Sequence, residues 1–255
     1  MKCFSLLILL GLSAFLLLSG CNPGGGTVRY GNLTYNATEI FGKGTSALEL
    51  AKAAGRGDVK GVNRLIASGV NVNTVGQHDI TPLWWALWTK NYEGFAALLE
   101  KGANPNAQQA DGYPIMYLAA EMNDSRFLEA ALNHGGNPNL PGRGSWPPLV
   151  MAVQNGFKTN VDLLLAAKAD ANWHDSISGE TLPMVALGSR GDYEMTYQLL
   201  QHGADPTLKA FHGKTLANTI ELVSKNASNN NDPWRAKVIE YLQSKGMTVK
   251  DTVNK

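Results

Sequence analysis

Cysteine and histidine are the side chains best placed for nucleophilic or metal chemistry, and this sequence holds two cysteines and five histidines. Their spacing argues against both. Cys3 sits in an apolar leader and Cys21 stands alone after it, so neither a disulfide framework nor a cysteine metal site is available. His134 and His202 each precede a glycine (Gly135, Gly203), at the end of a leucine-rich stretch. There a cation suits the negative end of a helix. His78, His174 and His212 fall in connecting segments without metal-ligand spacing. Gly142-Arg143-Gly144-Ser145-Trp146 lacks the G-x-S-x-G spacing and the strand-to-helix context of a nucleophile elbow. Gly24-Gly25-Gly26 is not followed by the Lys-Ser/Thr that a phosphate-binding loop needs. The expectation is a non-enzyme with no catalytic residues, no metal, no cofactor and no small-molecule substrate.

Cys21 has a more specific context. Lys2 is followed by fifteen mostly apolar residues, 4–18, too few for a comfortable bilayer span of about 20 residues. They end in Leu18-Ser19-Gly20-Cys21. A charged start, a short apolar core and small residues at the end describe an export signal. The four terminal residues resemble the lipobox of bacterial lipoproteins. The resemblance implies a signal peptide over 1–20, cleavage before Cys21 and acylation of that cysteine, with several acyl chains giving durable attachment. Asn22, rather than Asp, favours the outer over the inner membrane, with the protein facing the periplasm. Residues 21–44, rich in glycine, read as a lipidated cysteine and flexible tether with a reach of roughly 80 Å. Within it, Ala37–Phe41 is an apolar patch suited to docking on the first helical segment beyond the tether.

Charge narrows the partners. The formal net charge is +1, and loss of Lys2 with the leader leaves 21 basic against 21 acidic residues. There is no basic cluster to attract nucleic acid.

The elements that must carry any function announce themselves by repetition. Gly69-Val70-Asn71-Val72-Asn73 returns as Gly102-Ala103-Asn104-Pro105-Asn106, Gly135-Gly136-Asn137-Pro138-Asn139 and Lys168-Ala169-Asp170-Ala171-Asn172, each 33 residues after the last. Gly203-Ala204-Asp205-Pro206-Thr207 comes after 35 residues and Gly246-Met247-Thr248-Val249 after 43. Leucine pairs such as Leu98-Leu99 and Leu164-Leu165 precede these phrases, and Thr81-Pro82-Leu83 and its equivalents lie further upstream. Thr caps a helix, Pro suits its first turn, and Gly in the left-handed conformation stops the second helix.

This pattern resembles the ankyrin repeat. The resemblance implies an all-α solenoid over 45–250, in units of about 45–78, 79–111, 112–144, 145–178, 179–212 and 213–250. The expected helix pairs are 46–55 with 59–68, 82–90 with 92–101, 115–123 with 125–134, 148–156 with 158–167, 182–190 with 193–202 and 214–226 with 232–245. No such unit buries its apolar face alone, so neighbours must stack.

Laid on the ankyrin pattern, positions without a packing duty point to a protein-binding surface. They are Gln77, His78, Ile80, Trp88 and Thr89 in the second unit and Tyr113, Glu121 and Met122 in the third. The fourth adds Arg143, Trp146, Gln154 and Asn155, and the fifth Glu180 and Ser189. Trp84 and Trp85 read as core. Exposed aromatics and arginine would suit a protein partner. The whole resembles Gram-negative ankyrin-repeat lipoproteins, some of which are immunity proteins against type VI secretion lipase effectors. That implies a protein partner, a secreted lipase toxin, blocked sterically at the membrane to which Cys21 anchors the chain. A general cell-envelope interaction scaffold, or an assembly or stress factor, is the alternative.

Overall fold

The computed structural model describes residues 27–30, 33–224 and 232–249. The expected signal peptide and Cys21 lie outside them. The chain divides into two compact units, Met1–Ile115 and Met116–Lys255.

The first unit opens with a feature the tether reading did not foresee. Strands β1 (Thr27–Tyr30) and β2 (Leu33–Asn36) pair antiparallel, with Thr27 opposite Asn36. Helix α1 (Ala37–Phe41) comes directly after β2, its first turn capped by the Asn36 side chain, which accepts from the Thr38 N–H at 2.8 Å. The tether therefore does not extend to residue 44. Val28, Ala37, Ile40 and Phe41 are buried, and that burial is the physical reason this short segment is ordered. Ile40 and Phe41 press on Gly76, where a Cβ would lie 2.7 Å from Ile40.

Two helical hairpins complete this unit: α2 (Ser46–Gly55) with α3 (Val59–Ala67), and α4 (Pro82–Trp88) with α5 (Tyr92–Glu100). Their starts are set by side chains that accept orphan backbone N–H groups: Thr45 from Leu48, Asp58 from Gly61, Thr81 from Trp84 and Asn91 from Gly94. Pro82 occupies the first turn of α4. Trp84 and Trp85 are buried, as expected. The Trp84 indole donates to the Ala107 carbonyl at 3.3 Å, which satisfies its polar edge. Gly94 allows α5 to lie against α2, since a methyl there would overlap the Ala54 carbonyl.

The second unit contains four further hairpins. They are α6 (Ile115–Ala120, which begins on the last residue of the first unit) with α7 (Ser125–Asn133), and α8 (Pro148–Asn155) with α9 (Lys158–Ala166). Next come α10 (Leu182–Arg190) with α11 (Tyr193–Gln201), then α12 (Leu216–Val223) with α13 (Pro233–Ser244). α6 ends three residues before the expected 123. Phe127, Leu149, Val153 and Leu164 are buried, and Tyr193, Leu216, Ile220, Val238 and Leu242 form a core toward the C-terminus.

The repeated N-x-N phrase has two jobs. Its first residue closes a local turn: the Asn73, Asn106, Asn139, Asn172 and Thr207 N–H groups each donate two residues back, to the side chains of Asn71, Asn104, Asn137, Asp170 and Asp205. Its second residue reaches the next repeat. Asn73 donates to the Gly102 carbonyl at 3.1 Å and accepts from the Asn104 N–H at 2.8 Å. Asn139 does the same with Lys168 and Asp170, at 3.1 and 2.8 Å. Gly69, Gly102, Gly135 and Gly203 take positive φ where the second helices stop, and Lys168 adopts φ 69° at the equivalent place.

Candidate protein-interaction surface

In the first unit, Gln77 and His78 are exposed on the short turn Gln77–Asp79, where His78 and Asp79 both have positive φ. The turn is closed by the Gly76 N–H donating to Ile80 at 2.8 Å. Ile80 itself is 0% exposed, so the expectation of a contact residue fails there. Its side chain belongs to the core just before the Thr81 cap. The Ala110 N–H donates to the His78 carbonyl at 2.9 Å, linking successive turn tips.

Trp88 is also corrected. It is 4% exposed, covered by Tyr35 at a ring-centroid distance of 4.8 Å and flanked by Trp84 at 5.6 Å. The repeat pattern places this residue outward, but β2 lies over it. Thr89 is half-buried, and its hydroxyl donates to the Trp85 and Ala86 carbonyls at 3.0 Å. Tyr113 is half-buried and its carbonyl accepts from the Gln109 N–H.

In the second unit, Glu121, Gln154, Asn155 and Ser189 lie at or just beyond the C-terminal ends of α6, α8 and α10, Ser189 exposed and the other three half-buried. Met122 is not among them, with 5% exposure. Because α6 stops at Ala120, the next residues form a turn that tucks Met122 inward. Its carbonyl is held by buried Asn160, whose side-chain nitrogen donates to Ala120 at 3.0 Å and Met122 at 2.8 Å. Burial pushes the Glu121 carboxyl up to about 7. Asn155 donates to the Met151 carbonyl at 2.8 Å and Ser189 to the Val185 carbonyl at 2.6 Å, so both side chains are pinned to their own helices.

A second group lies at the turn tips of the same unit. Trp146 is half-buried and its side chain hydrogen-bonds the Asp175 carboxylate. Burial pushes the Asp175 carboxyl up, but donors from Ser178, Ile177 and Trp146 outweigh it and hold the group below its ordinary range. Glu180 pairs with Lys214 at 2.6 Å. Arg143 opens the turn Arg143–Ser145, and its side chain lies outside the described residues.

His134 and His202 sit at helix ends, His78 and His212 in short turns, and His174 in a connecting bridge to Thr181. His134 Nδ1 lies 2.8 Å from the Ala130 carbonyl at the end of α7, and His202 Nε2 lies 4.0 Å from Asp162. Among the described residues no three His, Cys, Asp or Glu side chains gather as a metal site would require.

Comparison with known proteins identifies the scaffold. Residues 113–210 match the model for ankyrin repeats in three copies, and residues 78–109 match the model for a single ankyrin repeat. The chain is an ankyrin-repeat protein. Protein PhlB of Serratia liquefaciens is 33% identical over 172 residues, which is 68% of this chain. The match spans 60% of the length of that relative. The crystal structure of EF0377, an ankyrin repeat protein, superposes with a TM-score of 0.64 at 24% identity, covering 77% of this chain and 97% of that one. The all-α ankyrin solenoid is thus the fold class, with the β1–β2 hairpin as an addition to it. Ankyrin-repeat proteins are in general interaction scaffolds and not catalysts, and a protein partner is the role the repeats support.

Proposed function

We propose that this ankyrin-repeat protein is a lipid-anchored, periplasm-facing immunity protein that neutralises an antibacterial type VI secretion lipase by steric block. The observation that carries the reading is the presence, in one chain, of Leu18-Ser19-Gly20-Cys21 after an apolar leader and of an ankyrin array beyond it. Acylation of Cys21 holds the protein on the membrane, and Asn22 favours the outer membrane. The lipase attacks phospholipid, so an inhibitor fixed to that membrane waits where the damage occurs.

The surface needs no chemistry of its own. Asn155 and Ser189 are held by their own helices, so little side-chain freedom is lost on binding. The half-buried Glu121 carboxyl supplies an acceptor for an Arg or Lys of the partner. Stable inhibition calls for about 1,600 Å² of interface.

The test sends a lipase encoded beside this gene to the periplasm, with and without the protein, and with the Ser189→Arg variant. The protein rescues growth and Ser189→Arg weakens the rescue. Equal killing with and without the protein would discard the reading. Recovery of host envelope proteins from membranes, in place of one tightly held toxin, would favour the general envelope scaffold.

A further inference from the structure

The β1–β2 hairpin covers a position that other repeats give to polar side chains. Steps of 33 residues carry the Trp88 position to Glu121 and then to Gln154. Both of those are half-buried, whereas Trp88, the last residue of α4, is buried under β2. The cover is one face of the hairpin. Val28 and Tyr35 stand opposite one another in its register, so both side chains project from the same side. That side meets the repeat: Val28 is 3% exposed, and the Tyr35 ring lies on Trp88 at 4.8 Å. Thr34, one residue along the strand, is exposed on the other side. His78 meets the edge of Tyr35, and Trp84 stands edge-on to Trp88 at 5.6 Å, so the rings form a continuous row.

The hairpin and the helix after it are held differently. Ile40 and Phe41 of α1 are buried and press on Gly76, and Phe41 meets the edge of Trp85 at 6.4 Å. Helix α1 is therefore a fixed post. Asn36 is both the last residue of β2 and the cap of α1, which makes it the point where hairpin and post join. The hairpin has four residues in each strand, a size with little stability of its own in water. Its order depends on the seat that Val28 and Tyr35 take on the repeat. Segments held by so few contacts open at lower free energy than the core they rest on.

We propose that the hairpin is a built-in ligand of the first unit. It pivots about Asn36 and yields its seat on Trp88 and Trp84 to an extended segment of a protein partner that carries an aromatic residue. The present occupant defines the chemistry of its replacement: an aromatic ring on the face of Trp88, with a β-branched side chain beside it, as Tyr35 and Val28 provide now. Uncovered tryptophans are among the side chains that dominate protein interfaces. The hairpin is tethered, so it competes at high local concentration and admits only a segment that binds the seat better. The inference rests on the protein-binding role of the repeats and is independent of the lipase reading.

The test uses the full chain and, as probe, a fluorescent synthetic peptide of residues 27–36, with the same peptide carrying Tyr35→Ala as control. In the protein, Tyr35→Ala weakens the built-in ligand and frees the seat. Anisotropy titration then gives a probe affinity at least about tenfold tighter for this variant than for wild type. The control peptide binds neither protein. Adding Trp88→Ala to the variant abolishes probe binding. Tyr35→Leu and Trp88→Leu replace these changes should either alanine variant lose its helical spectrum. In wild type, the amides of 27–36 exchange hydrogen at least about tenfold faster than those of α4. Equal probe affinity for wild type and variant, or equal binding of the two peptides, would overturn the proposal. So would exchange at 27–36 as slow as in α4, which would make the hairpin a permanent part of the unit. A wild-type mass that doubles with concentration would also overturn it, by giving the seat to the hairpin of a second copy.

Discussion

Tyr35 lies on Trp88 with ring centroids 4.8 Å apart and planes 31° from parallel, and His78 meets the edge of the same tyrosine at 6.5 Å. A residue ahead of the first repeat thus finishes the surface of the second. Burial pushes the Tyr35 hydroxyl up, with the negative charge of Asp111 adding to the effect.

Tyr35→Ala is expected to uncover Trp88 and to destabilise the first unit by about 1–3 kcal/mol, through lost aromatic contact and burial. Acrylamide quenching of tryptophan emission, compared between wild type and the variant, measures the uncovering. Tyr35→Phe should retain most of the protection, since it keeps the ring.

Lys168 occupies the left-handed position that Gly69, Gly102, Gly135 and Gly203 fill elsewhere. A side chain there costs about 1–2 kcal/mol in backbone strain, partly offset because glycine loses more freedom on folding. Lys168→Gly should therefore raise stability by up to about 1 kcal/mol. The Asn139 bond to the Lys168 carbonyl is to the backbone and survives the change. Thermal unfolding of the two proteins decides the sign.

Asn160 is buried and serves two carbonyls at the end of α6. Asn160→Leu leaves both without that donor and should cost about 2–4 kcal/mol. Amide exchange near residues 120–124 should accelerate more than exchange in α13, which separates local loosening from global loss.

Glu121 gives the protein a pH dependence of definite sign. Its carboxyl is raised from 4.5 to about 7 because burial disfavours the charge. The folded state therefore holds this proton more tightly than the unfolded state. Its contribution is complete below about pH 4.5 and is lost as the pH rises through about 7. Glu121→Gln should flatten this slope and exceed wild type at pH 8 by on the order of 1–2 kcal/mol. Urea unfolding at pH 5 and pH 8 checks both statements.

The helical framework was legible because its signals are local. The 33-residue spacing, Thr81-Pro82 and the stop glycines each act within a few residues, and the helices fall where those signals put them. The burial of Trp84 and Trp85 was legible for the same reason. What escaped depends on distant segments or on where a helix stops. The outward register of Trp88 holds within its own repeat, and only β2, some fifty residues earlier, reverses it. Met122 turns inward because α6 ends at Ala120. The hairpin did leave a trace: Val28-Arg29-Tyr30 and Leu33-Thr34-Tyr35 flank Gly31-Asn32, a pair suited to a tight strand connection. Neighbouring glycines made those strands look like part of a tether.

The early start of β1 has a mechanical consequence. If Cys21 is acylated as proposed, residues 22–26 alone lie between the anchor and the first residue of β1, a reach of at most about 20 Å where the sequence had suggested four times that. Under that proposal the protein would not sweep the periplasm for its target. It would stay close to the lipid, and a toxin it meets would already have reached the membrane.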